Sequence, residues 1–215
     1  ENRILVKEGL CRLKNTKNKG LQELIRSNSL EDAKITAYHI GFVLGPCINA
    51  SGRLDTAARS LALLNAKTKE EAARLAGDLT ALNQSRKALT EKGKEEAIRI
   101  IETTELKNDR VLVVYLPDCH ESLAGIIAGR IREKYHRPAF VLTGGETSAK
   151  GSGRSIESYS MYEELVKCAD LMIQFGGHPM AAGLSIEEKN IEEFRRRLNV
   201  NCTLTDEELR PKIVI

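Results

Sequence analysis

The sequence predicts an α/β (α+β) chain with three parts: a helical N-terminal segment, one long connecting helix, and a second half in which helices flank a mixed sheet. Three observations predict it. Apolar residues recur at helical spacing over residues 3–64, a charged and alanine-rich stretch over 68–103 contains no proline, and after Arg110 short β-branched runs alternate with helical ones. With 215 residues, 41% hydrophobic and 29% charged, the chain has material for one sizeable core or two smaller ones.

The elements follow in order. Ile4, Leu5, Leu10 and Leu13 repeat on one helical face, Leu21, Leu24 and Ile25 on another, and Ile35, Ile40 and Val43 on a third, which predicts short helices packed on one another. Residues 45–56 carry Gly-Pro and Ser-Gly punctuation and read as a loop, with Asp55 or Thr56 capping a helix that runs through Leu63. Thr68 and Glu71 form a capping-box pair, and Leu75, Leu79, Leu82 and Leu89 follow at helical spacing. A single helix over 68–103 would reach about 50 Å at 1.5 Å per residue, more than a compact domain needs internally, so it is predicted to join two domains. A break near Gly93 is the alternative.

In the second half, residues 111–116 and 138–142 read as strands around a helix over 123–135, a βαβ-like start. Residues 150–156 and 183–186 supply further strands, and 161–168 and 190–198 supply helices. The expected division is a helical part over 1–66, the connecting helix over 67–104, an α/β domain over 105–200 and a tail over 201–215. The chain opens on Glu1 and stops on the strand-like run 212–215, so both ends read as cut from something longer.

Composition excludes rather than identifies. A net charge of +3 gives no uniform basic coat, although a local group of arginines could still meet a nucleic acid. Five cysteines (Cys11, Cys47, Cys119, Cys168 and Cys202) are scattered without a Cys-x-x-Cys pair, which fits reduced, core-filling thiols in a cytoplasmic protein better than disulfides or a zinc site. No apolar run approaches the length of a membrane span, and no signal peptide is visible.

Residues 175–183, with Gly176, Gly177, His178 and Gly183, are unusually poor in bulk. Glycine lets a ligand touch the main chain, and N–H groups exposed in such turns cradle anions, so a phosphate is one guest. A tight turn of small residues at a helix crossing, holding a hydrogen-bonded histidine, is the other reading. In Lys150-Gly151-Ser152-Gly153-Arg154-Ser155 the glycines permit close approach, Ser152 offers a hydroxyl and Arg154 a planar donor fork. His39, His120, His136 and His178 lack metal-ligand spacing, and no metal ligands are predicted in this chain.

Four motifs, Asn49-Ala50-Ser51-Gly52-Arg53-Leu54, His120 with Gly125-Ile126-Ile127-Ala128-Gly129-Arg130, the 150–155 segment, and Gly176 to Gly183, occur in this order around the long helix. Together they resemble the RecJ family, single-strand-specific DNA exonucleases of the DHH phosphoesterase superfamily, over essentially the whole chain. The resemblance implies that the second half is a DHHA1 domain and that the long helix joins it to a catalytic DHH domain. Manganese or magnesium would be bound by aspartates and an Asp-His-His motif upstream of Glu1; no such triplet occurs here, and the fragment alone is expected to bind no metal and to be inactive.

By the same resemblance, Ser152, Gly153 and Arg154 would hold a backbone phosphate of single-stranded DNA at its 5′ end, with Gly176 and Gly177 close to it. Asn49 and Arg53 would be a second phosphate contact, the alternative being an Arg53–Asp55 salt bridge. His178 would face the catalytic cleft and hydrogen-bond a phosphate, the alternative being a tie to a backbone carbonyl; otherwise Lys150 and Arg154 line the solvent face of an edge strand.

Two departures stand out. Relatives often carry Trp-His-x-Gly where this chain has Cys119-His120-Glu121-Ser122, which leaves His120 open to a purely structural role. Tryptophan is absent and aromatics make up only 4%, leaving Tyr159 and Tyr162 as candidates for base stacking, so binding is expected to read phosphates and to weaken with salt. Partners implied are single-stranded DNA, the upstream DHH domain, and a single-strand-binding protein or helicase, with no membrane. The alternatives are a smaller DHH–DHHA1 phosphodiesterase of short oligonucleotides or cyclic dinucleotides, and a non-catalytic module docking through the long helix and residues 205–210.

Overall fold

The computed structural model describes residues 1–211. The helical half opens with α1 (Asn2–Lys14), which buries none of its residues, and α2 (Lys19–Ser27), started by the Asn18 side chain accepting the Leu21 N–H at 3.0 Å. Next, α3 (Ala37–His39) runs through one π-helical turn (Ile40–Leu44) directly into α4 (Gly45–Leu54). The loop expected over residues 45–56 is therefore mostly helix.

The reason lies in how the π turn treats Gly45 and Pro46. The Gly45 N–H reaches back five residues to the Ile40 carbonyl, and a Cβ on Gly45 would sit 2.6 Å from that oxygen. Pro46 then occupies the first turn of α4, where proline is tolerated. Asp55 does not cap the next helix, α5 (Ala58–Asn65); it pairs with Arg59 at 2.5 Å, while Thr56 Oγ1 accepts the Ala58 N–H at 3.3 Å.

Half of the capping box forms as read, with Thr68 Oγ1 accepting the Glu71 N–H at 3.2 Å, while the Glu71 carboxylate reaches one residue further back and accepts the Lys67 N–H at 3.1 Å. From it α6 (Lys69–Thr103) runs unbroken for 35 residues, through Gly93. The chain divides into two compact units, Glu1–Ala88 and Leu89–Ile215, with α6 continuous through the boundary. In the first unit α6 contributes Leu75, Ala76 and Leu79 to a core with Leu24, Leu44, Cys47 and Leu63.

The second unit holds β1 (Leu112–Leu116), α7 (Glu121–Tyr135), β2 (Ala139–Thr143), β3 (Ala149–Arg154), α8 (Met161–Val166), β4 (Met172–His178), β5 (Ala181–Ile186) and α9 (Ile191–Val200). Its sheet runs β1-β2-β3-β5-β4, with β1 and β2 parallel and the other neighbours antiparallel. Alternation sets the two faces. Val113, Phe140, Leu142, Ala149, Leu184 and Ile186 meet Met161, Leu165, Phe194 and Leu198 on one side. On the other, Leu112, Val114, Leu116 and Val141 meet Ala97 and Ile101 of α6 and Leu123, Ile127 and Ile131 of α7. At Gly93 α6 presses against α7, since a Cβ there would lie 2.6 Å from Ile127 Cδ1.

Residues 175–178 are not a turn. They form half of β4, an edge strand paired with β5, with only Pro179 and Met180 left between the two strands. That hairpin end is tied down, because the Pro179 and Met180 carbonyls accept the Met161 and Ser155 N–H groups, each at 2.9 Å. Residues 205–208 close a small capped turn, with Arg110 paired to Asp206 at 2.7 Å. Cys47 and Cys168 are buried and Cys119 and Cys202 half-buried, but Cys11 is exposed and fills no core. The strand-like run 212–215 lies outside the described residues.

Candidate functional site

Three strands bring the two glycine-rich motifs onto one sheet face. Ser152 of β3 pairs with Gly183 of β5, which pairs with Gly176 of β4; Arg154, Ala181 and His178 form the next row, and Lys150, Ser185 and Gln174 the row on the other side. Paired residues point to the same side of a sheet, and rows two residues apart lie about 7 Å from one another. The result is a groove of about 490 Å3, floored by Ser152, Gly176 and Gly183, with Lys150, Gln174 and Ser185 along it and Glu121 and Ser122 of α7 at its rim.

A β-bulge makes this possible. Met172 pairs with Ile186, yet Gln174 pairs with Ser185, so two residues of β4 advance against one of β5. In an unbulged strand of the same length Gln174, Gly176 and His178 would share the face of Met172, which packs on the core with Phe175. The anion cradle expected from turn N–H groups is thus absent, and an open strip of sheet takes its place. Gly176 has nothing within 4 Å of where a Cβ would stand. Gly177 is glycine for a conformational reason: its φ is +156°, and a Cβ would lie 2.4 Å from the Ala181 carbonyl oxygen.

Arg154 is half-buried against α7. A Cβ on Gly125 would stand 2.8 Å from its Nη2, and Nη1 donates to the Gly153 carbonyl at 2.7 Å. No carboxylate pairs with Arg154 among the described residues, whereas Arg59, Arg110, Arg195, Arg196 and Arg197 each have one. β3 is a central strand, so the edge-strand alternative for Lys150 and Arg154 fails. Gly153 faces away from the groove, where a Cβ would come within 2.6 Å of both Phe140 and Met161; its smallness serves the core. His178 is exposed and has no hydrogen-bond partner among the described residues, so the backbone tie does not form.

In the first unit Asn49 and Arg53 stand four residues apart on α4 and share a face. The Asp55 carboxylate expected for Arg53 is engaged by Arg59. Sequence reading missed Arg86 of α6, whose Nε and Nη2 donate to Asn83 Oδ1 at 3.1 and 3.0 Å. Burial, then the neighbouring charge of Arg53, pulls its guanidinium below the usual arginine range, although it stays charged. Arg53 is thus near enough for its charge to be felt at Arg86. Neither signal was readable beforehand, because residues 83–86 sit within an unremarkable helical stretch.

Tyr159 is 4% exposed and packed in the core, so it cannot stack on a base. Tyr162 is half-exposed beside Phe175, at 6.3 Å between rings. An exposed pair that sequence reading overlooked, Tyr38 and Phe42, stacks at 5.0 Å in the first unit. The other histidines do structural work. His39 accepts the Thr36 N–H at 3.1 Å, His120 Nδ1 accepts the Ser122 N–H at 3.3 Å to start α7, and His136 ends α7 in a left-handed conformation. Among the described residues no three His, Cys, Asp or Glu side chains gather where an ion could sit. The described residues do not fit the manganese or magnesium that the family resemblance implies.

Comparison with known proteins agrees with the motifs. The DHHA1 domain family matches residues 108–202. The chain is 40% identical to the single-stranded-DNA-specific exonuclease RecJ of Salmonella typhimurium over 91% of its own length and 36% of that protein. With the RecJ of Bacillus subtilis it shares 36% identity over 98% of its length and 27% of that protein. The chain therefore spans about a third of the length of these relatives. In structure it superposes on RecJ of Thermus thermophilus, crystallised with Mg2+, with a TM-score of 0.83 and 33% identity over 93% of this chain and 30% of that one. Residues 108–202 are thus a DHHA1 domain, and the chain as a whole is of the RecJ type.

Proposed function

We propose that this chain is the substrate-gripping portion of a RecJ-like 5′-to-3′ single-stranded-DNA exonuclease acting in repair and recombination. It holds the backbone and the 5′ phosphate, while an upstream DHH domain carries out metal-dependent phosphodiester hydrolysis. Manganese or magnesium, held by that domain, would polarise the scissile phosphate and activate water. The place of action is the cytoplasm, and a single-strand-binding protein or a helicase are candidate partners.

One observation carries the reading: Arg154 is a half-buried guanidinium with no carboxylate partner among the described residues, set one row from Ser152 and the open floor of Gly176 and Gly183. A partly desolvated cation is costly unless an anion meets it, and a guanidinium fork matches two phosphate oxygens. Ser152 adds a hydroxyl from the floor. His178, across the same row as Arg154, would donate to a phosphate on that face. Asn49 and Arg53, with Arg86, form a second phosphate contact.

The test is equilibrium binding of a 5′-phosphorylated single strand. Arg154→Ala weakens it by about tenfold or more, the order of a lost charge-assisted hydrogen-bond pair, whereas Lys69→Ala on exposed α6 changes it little. Equal effects of the two substitutions would sink the assignment.

A further inference from the structure

The groove extends past the residues assigned to the 5′ phosphate, and its far row has an unusual make-up. Lys150, Ser185 and Gln174 lie side by side on β3, β5 and β4. Lys150 is the one cation among the residues lining the groove, and Glu121 the one carboxylate. The Lys150 ammonium donates to Ser185 Oγ at 3.2 Å and pairs with no carboxylate among the described residues; Ser185 itself is buried. The Gln174 amide is exposed and makes no hydrogen bond among the described residues. An ammonium with two donors left and an unspent amide therefore flank a buried hydroxyl.

Spacing gives this row its meaning. It lies two residues along β3 from Ser152, about 7 Å by strand geometry, which is the order of one nucleotide step in an extended single strand. Lys150 and Gln174 are two strand spacings apart, about 10 Å, wide enough for a nucleotide to lie between them. An ammonium suits a phosphodiester oxygen, and a carboxamide can both donate to and accept from a sugar or any base edge. Glu121 at the rim disfavours a second anion there.

We propose that Lys150, Ser185 and Gln174 form a subsite for the second nucleotide of the bound strand. Lys150 takes the phosphodiester joining the first and second nucleotides, and Gln174 hydrogen-bonds the second sugar or base without choosing among bases. This rests on the reading that Ser152 and Arg154 hold the 5′ phosphate. It adds a length requirement, because a mononucleotide leaves the row empty and a dinucleotide fills it.

The experiment measures affinity of the 215-residue chain for thymidine 5′-monophosphate and for 5′-phosphorylated dithymidylate. The unaltered chain should bind the dinucleotide about tenfold more tightly, as expected for a charge-assisted contact plus a neutral one. The double variant Lys150→Ala, Gln174→Ala should lose that gain to within about twofold while keeping its mononucleotide affinity, and Lys150→Ala alone should flatten the salt dependence of dinucleotide binding by about 0.7 in log–log slope. Both side chains are exposed, so neither change threatens the fold, and an unaltered unfolding curve checks that. A double variant that keeps the full length gain, or loses equally on both ligands, overturns the subsite. If Ser152→Ala and Arg154→Ala leave mononucleotide binding untouched, the 5′-phosphate reading falls instead, and this proposal with it.

Discussion

The two glycine-rich motifs have similar compositions and opposite uses. On β3 the glycines look inward: Gly151 would crowd Leu184 and Leu142, and Gly153 would strike Phe140 and Met161, while Lys150, Ser152 and Arg154 take the groove side. On β4 and β5 it is Gly176 and Gly183 that look into the groove, while Phe175 and Leu184 turn to the core. In the first motif glycine makes room for protein, and in the second it leaves room for a ligand. Counting glycines in a sequence does not separate these roles, because parity along the strand decides them.

Substitutions should break the comparison in a graded way. Gly153→Ala drives a methyl into Phe140 and Met161 at 2.6 Å from each, so overpacking should cost about 2–3 kcal/mol in denaturant unfolding. A curve indistinguishable from the parent would mean that the core yields and the inward role is misassigned. Gly125→Ala has the next largest effect and acts elsewhere. Its Cβ would crowd the far end of Arg154 at 2.8 Å and touch Ser152 Cβ at an ordinary 3.5 Å, so the guanidinium shifts; phosphorylated single-strand affinity should fall several-fold while stability changes by less than about 1 kcal/mol. Gly176→Ala should be the mildest, within about 0.5 kcal/mol in stability, because its Cβ enters open space. Its effect appears only with ligand present, as a modest loss of affinity from a raised groove floor.

Much of the scaffold was legible. The Thr68–Glu71 box and the unbroken spacing behind it fixed α6, and β-branched runs located β1 and β2 to within a residue. Two elements were hidden for physical reasons. α4 begins with Gly-Pro, which punctuates almost any chain, and only the π turn before it, with its long Gly45 to Ile40 hydrogen bond, lets a helix carry that pair. β4 was hidden because paired glycines are poor strand formers and an edge strand needs little burial; β5 supplies the pairing that local propensity lacks. The site was half legible. Ser152, Arg154 and Gly176 were named from sequence and do meet on one face, but the Lys150–Ser185–Gln174 row exists only through strand register.

The extra residue between Met172 and Gln174 is where the hairpin absorbs one residue of length without changing which face its motif shows. Losing that residue would let Gln174 follow Met172 in plain alternation, still opposite Ser185 on the groove side, with Phe175 still turned toward the core. For anyone aligning or recombining such chains, a one-residue gap at Ile173 is therefore silent for the motif, whereas the same gap between Gln174 and His178 would turn part of it over.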